Sequence, residues 1–306
     1  MNTKLTAYLA ATGTILLWGM SYIWSDRLLD LGIPVEYFIP IRTLMAGLLL
    51  LLLNKAAHIP IRLRRKDAWR FLLLSLCMPL VYFICETYGL QLTESQTVTS
   101  LIIATNPLFA MAAGMLIFRE HFSPLNILGV FITLAGLWLV TWTRTETGPL
   151  FWAGVAILFV AVAAEVSQIA FTKALSADYA PSVIVMYQFL FGAVLFLPLF
   201  ATKGLAHYDA SLYWSWSVVY PVLALALLCS ATAFTLWAYA IGRLGVAHTS
   251  VFLAVVPLVT AVLAFLFGDE KLRALQWAGL AVGLAGIYLT QIESKNKKEY
   301  GPARTE

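Results

Sequence analysis

Apolar residues along this chain gather into long runs separated by short polar stretches. The runs fall near 6–25, 37–53, 69–91, 96–118, 124–142, 150–173, 181–201, 213–241, 247–267 and 273–291. A helix needs about 20 apolar residues to cross a bilayer core, so the pattern predicts ten membrane-spanning helices. The eighth run is long, and it predicts an interfacial start around Tyr213, Trp214 and Trp216, where amphipathic aromatics sit at the headgroup level. No polar stretch is long enough to form a separate soluble domain. The expected fold class is therefore an all-α integral membrane protein.

The pattern also repeats. With a shift of 150 residues, 13 of the 42 positions from Thr99 to Val140 are identical to those from Thr249 to Thr290, without a gap. The matches include Thr99/Thr249, Ser100/Ser250, Pro107/Pro257, Glu120/Glu270, Gly129/Gly279 and Gly136/Gly286. A repeat of that span implies two copies of one unit. Ten spans divide into five and five, with the boundary in the loop around Arg144 to Gly148. Five is odd, so the second copy is expected to sit upside down relative to the first, the arrangement in which transporters place a site between inverted halves. The expected divisions are 1–145, 149–292 and a cytoplasmic tail at 293–306.

Composition agrees with a life in lipid. The chain is 61% hydrophobic and 12% charged, against about 25% charged residues in soluble domains. Cys77, Cys85 and Cys229 all lie inside apolar spans without a C-x-x-C pair, which argues against a disulfide framework and a zinc site. The first span carries a single preceding charge, Lys4, and lacks a clear small-x-small cleavage site, so it reads as a retained helix. Lys and Arg in short loops report orientation. With the N-terminus inside, cytoplasmic segments hold 14 of them, including the cluster from Arg62 to Arg70, and the opposite side holds 5. Both termini are expected to be cytoplasmic. The net charge of +4 is then a consequence of topology, and no nucleic-acid partner is implied.

Several repeated residues have structural readings. Ser123-Pro124 places a capping hydroxyl before a proline at the first helical position. Glu120 and Glu270 fall between consecutive spans, where a carboxylate near a helix N-terminus is stabilised. Gly129, Gly136, Gly279, Gly283 and Gly286 offer small-residue faces for close helix approach, either within the bundle or between subunits. Pro107 and Pro257 each interrupt a span and free a backbone carbonyl.

The run from Thr99 through Asn106-Pro107, Arg119-Glu120 and Gly129 to Ala135-Gly136 resembles the repeated EamA domain. Its second copy passes through Pro257, Gly268-Asp269-Glu270 and Gly279 to Ala285-Gly286, and Trp18-Gly19 fits the opening pattern. The similarity covers nearly the whole chain. It implies a ten-helix bacterial transporter of the drug/metabolite superfamily, with a central cavity bounded by spans 1–4 and 6–9 and with spans 5 and 10 peripheral. Such proteins move amino acids, sugars, nucleotide derivatives or drugs, so the resemblance leaves the substrate open. The sixth span departs from the pattern: it carries Ala163-Ala164-Glu165 where a Trp-Gly pair would stand.

Charge in hydrocarbon is expensive, which makes each intramembrane ionisable group a functional candidate. Three stand out: Arg42, Glu86 and Glu165. Arg42 and Glu86 are expected at similar depth in the outer half, either as a self-neutralising ion pair or as cavity groups that bind a zwitterion or pass a proton. Glu165 is expected in the inner half without an evident cation partner. Gln168 and Thr172 follow it at i+3 and i+7 on one face, which suggests a proton or substrate site or a carboxyl hydrogen-bonded to a neighbouring helix. Trp18, Ser21 and Tyr22 in span 1, Tyr82 one turn from Glu86, Asn106, Tyr187 in span 7 and Trp237 in span 8 complete the candidate substrate-binding set.

These observations predict a secondary transporter for small organic solutes in the cytoplasmic (inner) membrane, with export implied by the resemblance and proton coupling suggested by Glu165. No cofactor, metal or catalytic residue is expected. A passive facilitator is the alternative. A membrane-embedded enzyme is disfavoured because the spans hold no H-E-x-x-H, no G-x-S-x-G and no clustered metal ligands.

Overall fold

The computed structural model describes residues 3–106, 108–109, 123–142, 148–204, 210–244, 249, 252–253, 255–267 and 272–291. Among the described residues the main helical segments, in chain order, are α1 Thr3–Asp30, α2 Val35–Ala56, α3 Arg65–Thr93, α4 Gln96–Ile103, α5 Pro124–Trp142, α6 Phe151–Leu175, α7 Pro181–Leu199, α8 Trp216–Leu244, α9 Val256–Phe267 and α10 Ala274–Gln291. Among the described residues no strand occurs. α2, α3, α6, α7 and α8 are long and apolar enough to cross a membrane, and α5, α9 and α10 are shorter apolar helices. Pro107, Glu120, Glu270 and the tail from residue 293 lie outside the described residues.

Helix boundaries follow local chemistry. α4 begins where the Ser95 hydroxyl accepts the amide of Val98 at 3.1 Å. α5 begins at Pro124 behind Ser123, whose hydroxyl accepts the Asn126 amide at 3.3 Å. Pro257 sits in the first turn of α9, where a missing N–H costs no intrahelical bond. α1 ends before Gly32, whose φ of +74° is open to glycine at no steric cost. A short helix, Ala210–Tyr213, precedes α8, and Trp214 and Trp216 are among the most exposed residues, at 74% and 72%. Tyr213, the last residue of the short helix, is buried at 4% exposure.

Equivalent helices of the two halves pair with each other, and they run antiparallel. α5 packs on α10. Asn126 donates to the Leu289 carbonyl at 3.2 Å, while Val140 lies against Gly279. α2 packs on α7 in the same sense, with Gly47 against Leu190 and the Ser182 hydroxyl donating to Asn54 Oδ1 at 2.6 Å. The remaining close pairs, α3–α6 and α1–α8, exchange under the 150-residue shift. The glycine contacts exchange too. A Cβ at Gly136 would collide with the backbone of Gly279 and Gly283, and one at Gly286 with that of Gly129 and Thr133. Shifting the first set by 150 gives the second. The fold is two inverted five-helix repeats, and the small-residue faces pack within one bundle.

α3 and α8 share a further feature. Leu76–Val81 of α3 and Ala224–Thr232 of α8 are π-helical turns, and the shift superposes them. Within the first, Met78 adopts a non-helical φ of −145° before Pro79. Its carbonyl accepts from Gln188 Nε2 of α7 at 3.1 Å. Widened turns of this kind cluster at functional sites, and the first contributes Met78 to the wall of the cavity described next.

The candidate substrate cavity

One cavity lies between the halves. Residues of α1, α2, α3, α4, α6, α8 and α9 contribute to its wall. α5 and α10 stand apart from it, and α7 supplies no wall residue.

Eight of the sequence-derived candidates meet on this wall: Trp18, Ser21, Tyr22, Arg42, Tyr82, Glu86, Asn106 and Glu165. The three intramembrane ionisable groups thus share one chamber although they stand on three helices. Arg42 and Glu86 do not form a direct ion pair: among the described residues the ion pairs join Arg64 to Asp178, Arg70 to Asp67 and Lys203 to Glu36. Arg42 instead donates from Nε to the Ser230 hydroxyl of α8 at 3.2 Å. Its guanidinium carbon lies 4.1 Å from the centre of the Phe83 ring, a cation–π geometry that offsets part of the cost of burying the charge. Glu86 accepts from the Tyr82 hydroxyl at 2.8 Å, one turn away on the same helix, with Tyr22 of α1 beside both.

Glu165 accepts from Asn106 Nδ2 at 2.5 Å. Both side chains are buried, at 4% and 3% exposure. The second polar atom of that amide, Asn106 Oδ1, has no partner among the described residues, and neither does Trp18 Nε1. A buried polar atom left unpaired costs about 1–3 kcal/mol. Two such atoms, an acceptor and a donor, belong to residues in the wall of one cavity. Trp18, Tyr22, Tyr82, Phe83 and Phe234 supply aromatic surface around them.

Three candidates stand elsewhere. Gln168 donates to Thr172 at 2.9 Å along its own helix and is buried off the cavity wall. The Tyr187 hydroxyl donates to the Ile61 carbonyl. Trp237 packs behind the wall, its ring 5.2 Å from that of Trp18. Wall residues outside the sequence-derived set include Phe83, Phe234, Ser100, Leu253 ahead of α9 and Val256 at its start, and Ser230 joins the site through Arg42. Ser230 was the legible one: a hydroxyl in an apolar run. The aliphatic wall residues carry no signal that separates them from the core.

Buried charge and unpaired polar atoms enclosed between two inverted helical halves are the architecture of a multi-pass membrane transporter. The chain belongs to the EamA-like transporter family, which it matches over residues 5–142 and 152–292. It is 25% identical over 312 residues to the "Uncharacterized transporter YetK" of Bacillus subtilis (strain 168), covering 99% of this chain and 92% of that protein. It is 32% identical over 190 residues to the "Probable terminal-alkyne amino-acid exporter" of Streptantibioticus cattleyicolor, covering 62% of each. A solved crystal structure aligns with 92% of this chain and 95% of its own, with a TM-score of 0.67 at 17% identity, a likeness of fold alone.

Proposed function

We propose that the protein is a secondary transporter that exports small organic solutes, amino acids or related compounds, across the cytoplasmic membrane by alternating access, with Glu165 as the proton-exchanging group. The observation that carries this reading is the meeting of Arg42, Glu86 and Glu165 in one aromatic-walled cavity between inverted halves. A guanidinium and two carboxyls can satisfy both ends of a zwitterion, and the aromatic wall suits an apolar body. The amino-acid exporter among its relatives supports the same solute class. Within this reading the repeats occupy 1–145 and 149–292, the tail at 293–306 is cytoplasmic, and so is the N-terminus.

Glu165 is the group for the proton because Asn106 gives it a neutral partner and no cation stands within ion-pair distance among the described residues. A carboxyl of that kind can carry its proton through the membrane and release it when access alternates. Counterflow of labelled amino acids into proteoliposomes, with and without a pH gradient, tests the proposal. Counterflow that a gradient accelerates is the expected result. Solute movement down its own gradient without counterflow would make the protein a facilitator.

A further inference from the structure

The geometry points to a carboxylate seat at the outer edge of the Arg42 guanidinium, with Ser230 and Phe83 as the residues that position it. This deepens the transporter reading, since it names the group on the solute that the cavity takes first.

A guanidinium has five N–H donors in a planar fork. In Arg42 the inner donor, Nε, is spent on Ser230 at 3.2 Å, and the guanidinium carbon lies over the Phe83 ring, 4.1 Å from its centre. The guanidinium is therefore held by two contacts, one from α8 and one from α3. The paired Nη groups at the far edge have no hydrogen-bond partner among the described residues, and Arg42 lines the cavity while only 3% exposed. Glu86 shares the cavity but lies beyond ion-pair distance, its Oε1 held by Tyr82 at 2.8 Å. A buried cation with its bidentate edge unfilled matches one kind of ligand well: a planar oxyanion that accepts two parallel N–H bonds. Phosphate would bring more negative charge than one guanidinium balances beside two carboxyls, so the carboxylate is the better fit. Trp18 Nε1, the unpaired donor in the same wall, adds a neutral N–H to the same chamber.

Ser230 is a positioning residue here, acting through Arg42. It also sits in the π-helical turn of α8, Ala224–Thr232, so filling the seat loads the helix whose turn matches that of α3.

Labelling with phenylglyoxal, which reacts across the two Nη atoms of arginine, tests the seat on full-length protein in detergent, with each site read by peptide mass spectrometry. L-Phenylalanine and 3-phenylpropionate are the carboxylate probes, and L-phenylalaninamide is the matched probe without a carboxylate. Arg64, whose side chain is 50% exposed, serves as the internal control. The expected result is that both carboxylates slow labelling of Arg42 about tenfold while the amide does not, and that Arg64 labels equally throughout. Ser230→Ala should raise the carboxylate concentration needed for half-protection by about tenfold, and Ser230→Thr should restore it, with melting temperatures reported for both variants. Failure of Arg42 to label, equal protection by the amide, or unchanged protection in Ser230→Ala would overturn the seat. Protection without counterflow in proteoliposomes would leave the seat standing and remove the transport reading.

Discussion

Glu165 shows most directly what a single residue contributes. Its carboxyl is buried at 4% exposure with the Asn106 amide as its hydrogen-bond partner, and the other charged groups facing the chamber are Glu86 and Arg42. The three leave one negative charge unbalanced, and an uncompensated buried charge is costly. A proton on one carboxyl removes that cost, and proton occupancy falls as pH rises. Transport by the wild type is therefore expected to depend on pH, while Glu165→Gln, neutral at every pH, gives a flat profile in a proteoliposome flux assay. A Gln variant that keeps the wild-type rate and pH profile would reduce Glu165 to packing. Glu86→Gln is expected to lower transport at least several-fold with an unchanged melting temperature, because it removes a cavity charge and keeps an acceptor for Tyr82. Unchanged flux would make Glu86 a structural group. These ionisable groups were legible because charge within an apolar run is conspicuous. Gln168, at i+3 from Glu165, was drawn into the same set by helical spacing. It turns to Thr172 instead, because periodicity fixes the angle around a helix only to within the width of a face.

Elements carry the symmetry. The interface of α5 with α10 is built on glycines whose Cβ positions are occupied by the backbone of the facing helix. Gly136→Leu is expected to separate the two helices and lower the detergent melting temperature by several degrees, since overpacking costs about 1–3 kcal/mol or more. Gly13→Ala is the control: the nearest atom to its new Cβ would be 3.6 Å away, an ordinary contact. Equal melting temperatures for the two variants would refute the close approach. The glycines themselves were visible in the repeat, but their partners were not. The widened turns show a similar limit. Pro79 announces irregularity in α3, whereas Ala224–Thr232 of α8 contains no proline or glycine. Only the 150-residue shift relates it to the turn in α3.

At the scale of the whole molecule, antiparallel pairing of α2 with α7 and of α5 with α10 makes the second half the inverse of the first. An even number of crossings puts both termini on one side, and the distribution of Lys and Arg, 14 against 5, predicts that this side is the cytoplasm. A C-terminal alkaline phosphatase fusion is expected to be inactive and a C-terminal green fluorescent protein fusion to be bright. The reverse result would break the even count on which the inverted repeat depends.

The sequence by itself determined the helix count, the repeat, the membrane setting and the three charged candidates. Each follows from local physics: the length of apolar runs against bilayer thickness, identity at one fixed offset, and the cost of charge in hydrocarbon. Tertiary structure alone decided which side chains face one another. It brought Glu165 to Asn106, gave Arg42 to Ser230 and Phe83 instead of Glu86, and set Tyr187 and Trp237 off the cavity wall. Those choices depend on the rotation of each helix about its axis and its height relative to its neighbours. Both are set by packing of residues far apart in the chain, such as Gly47 on Leu190 and Gly89 on Leu158, and no local pattern encodes them.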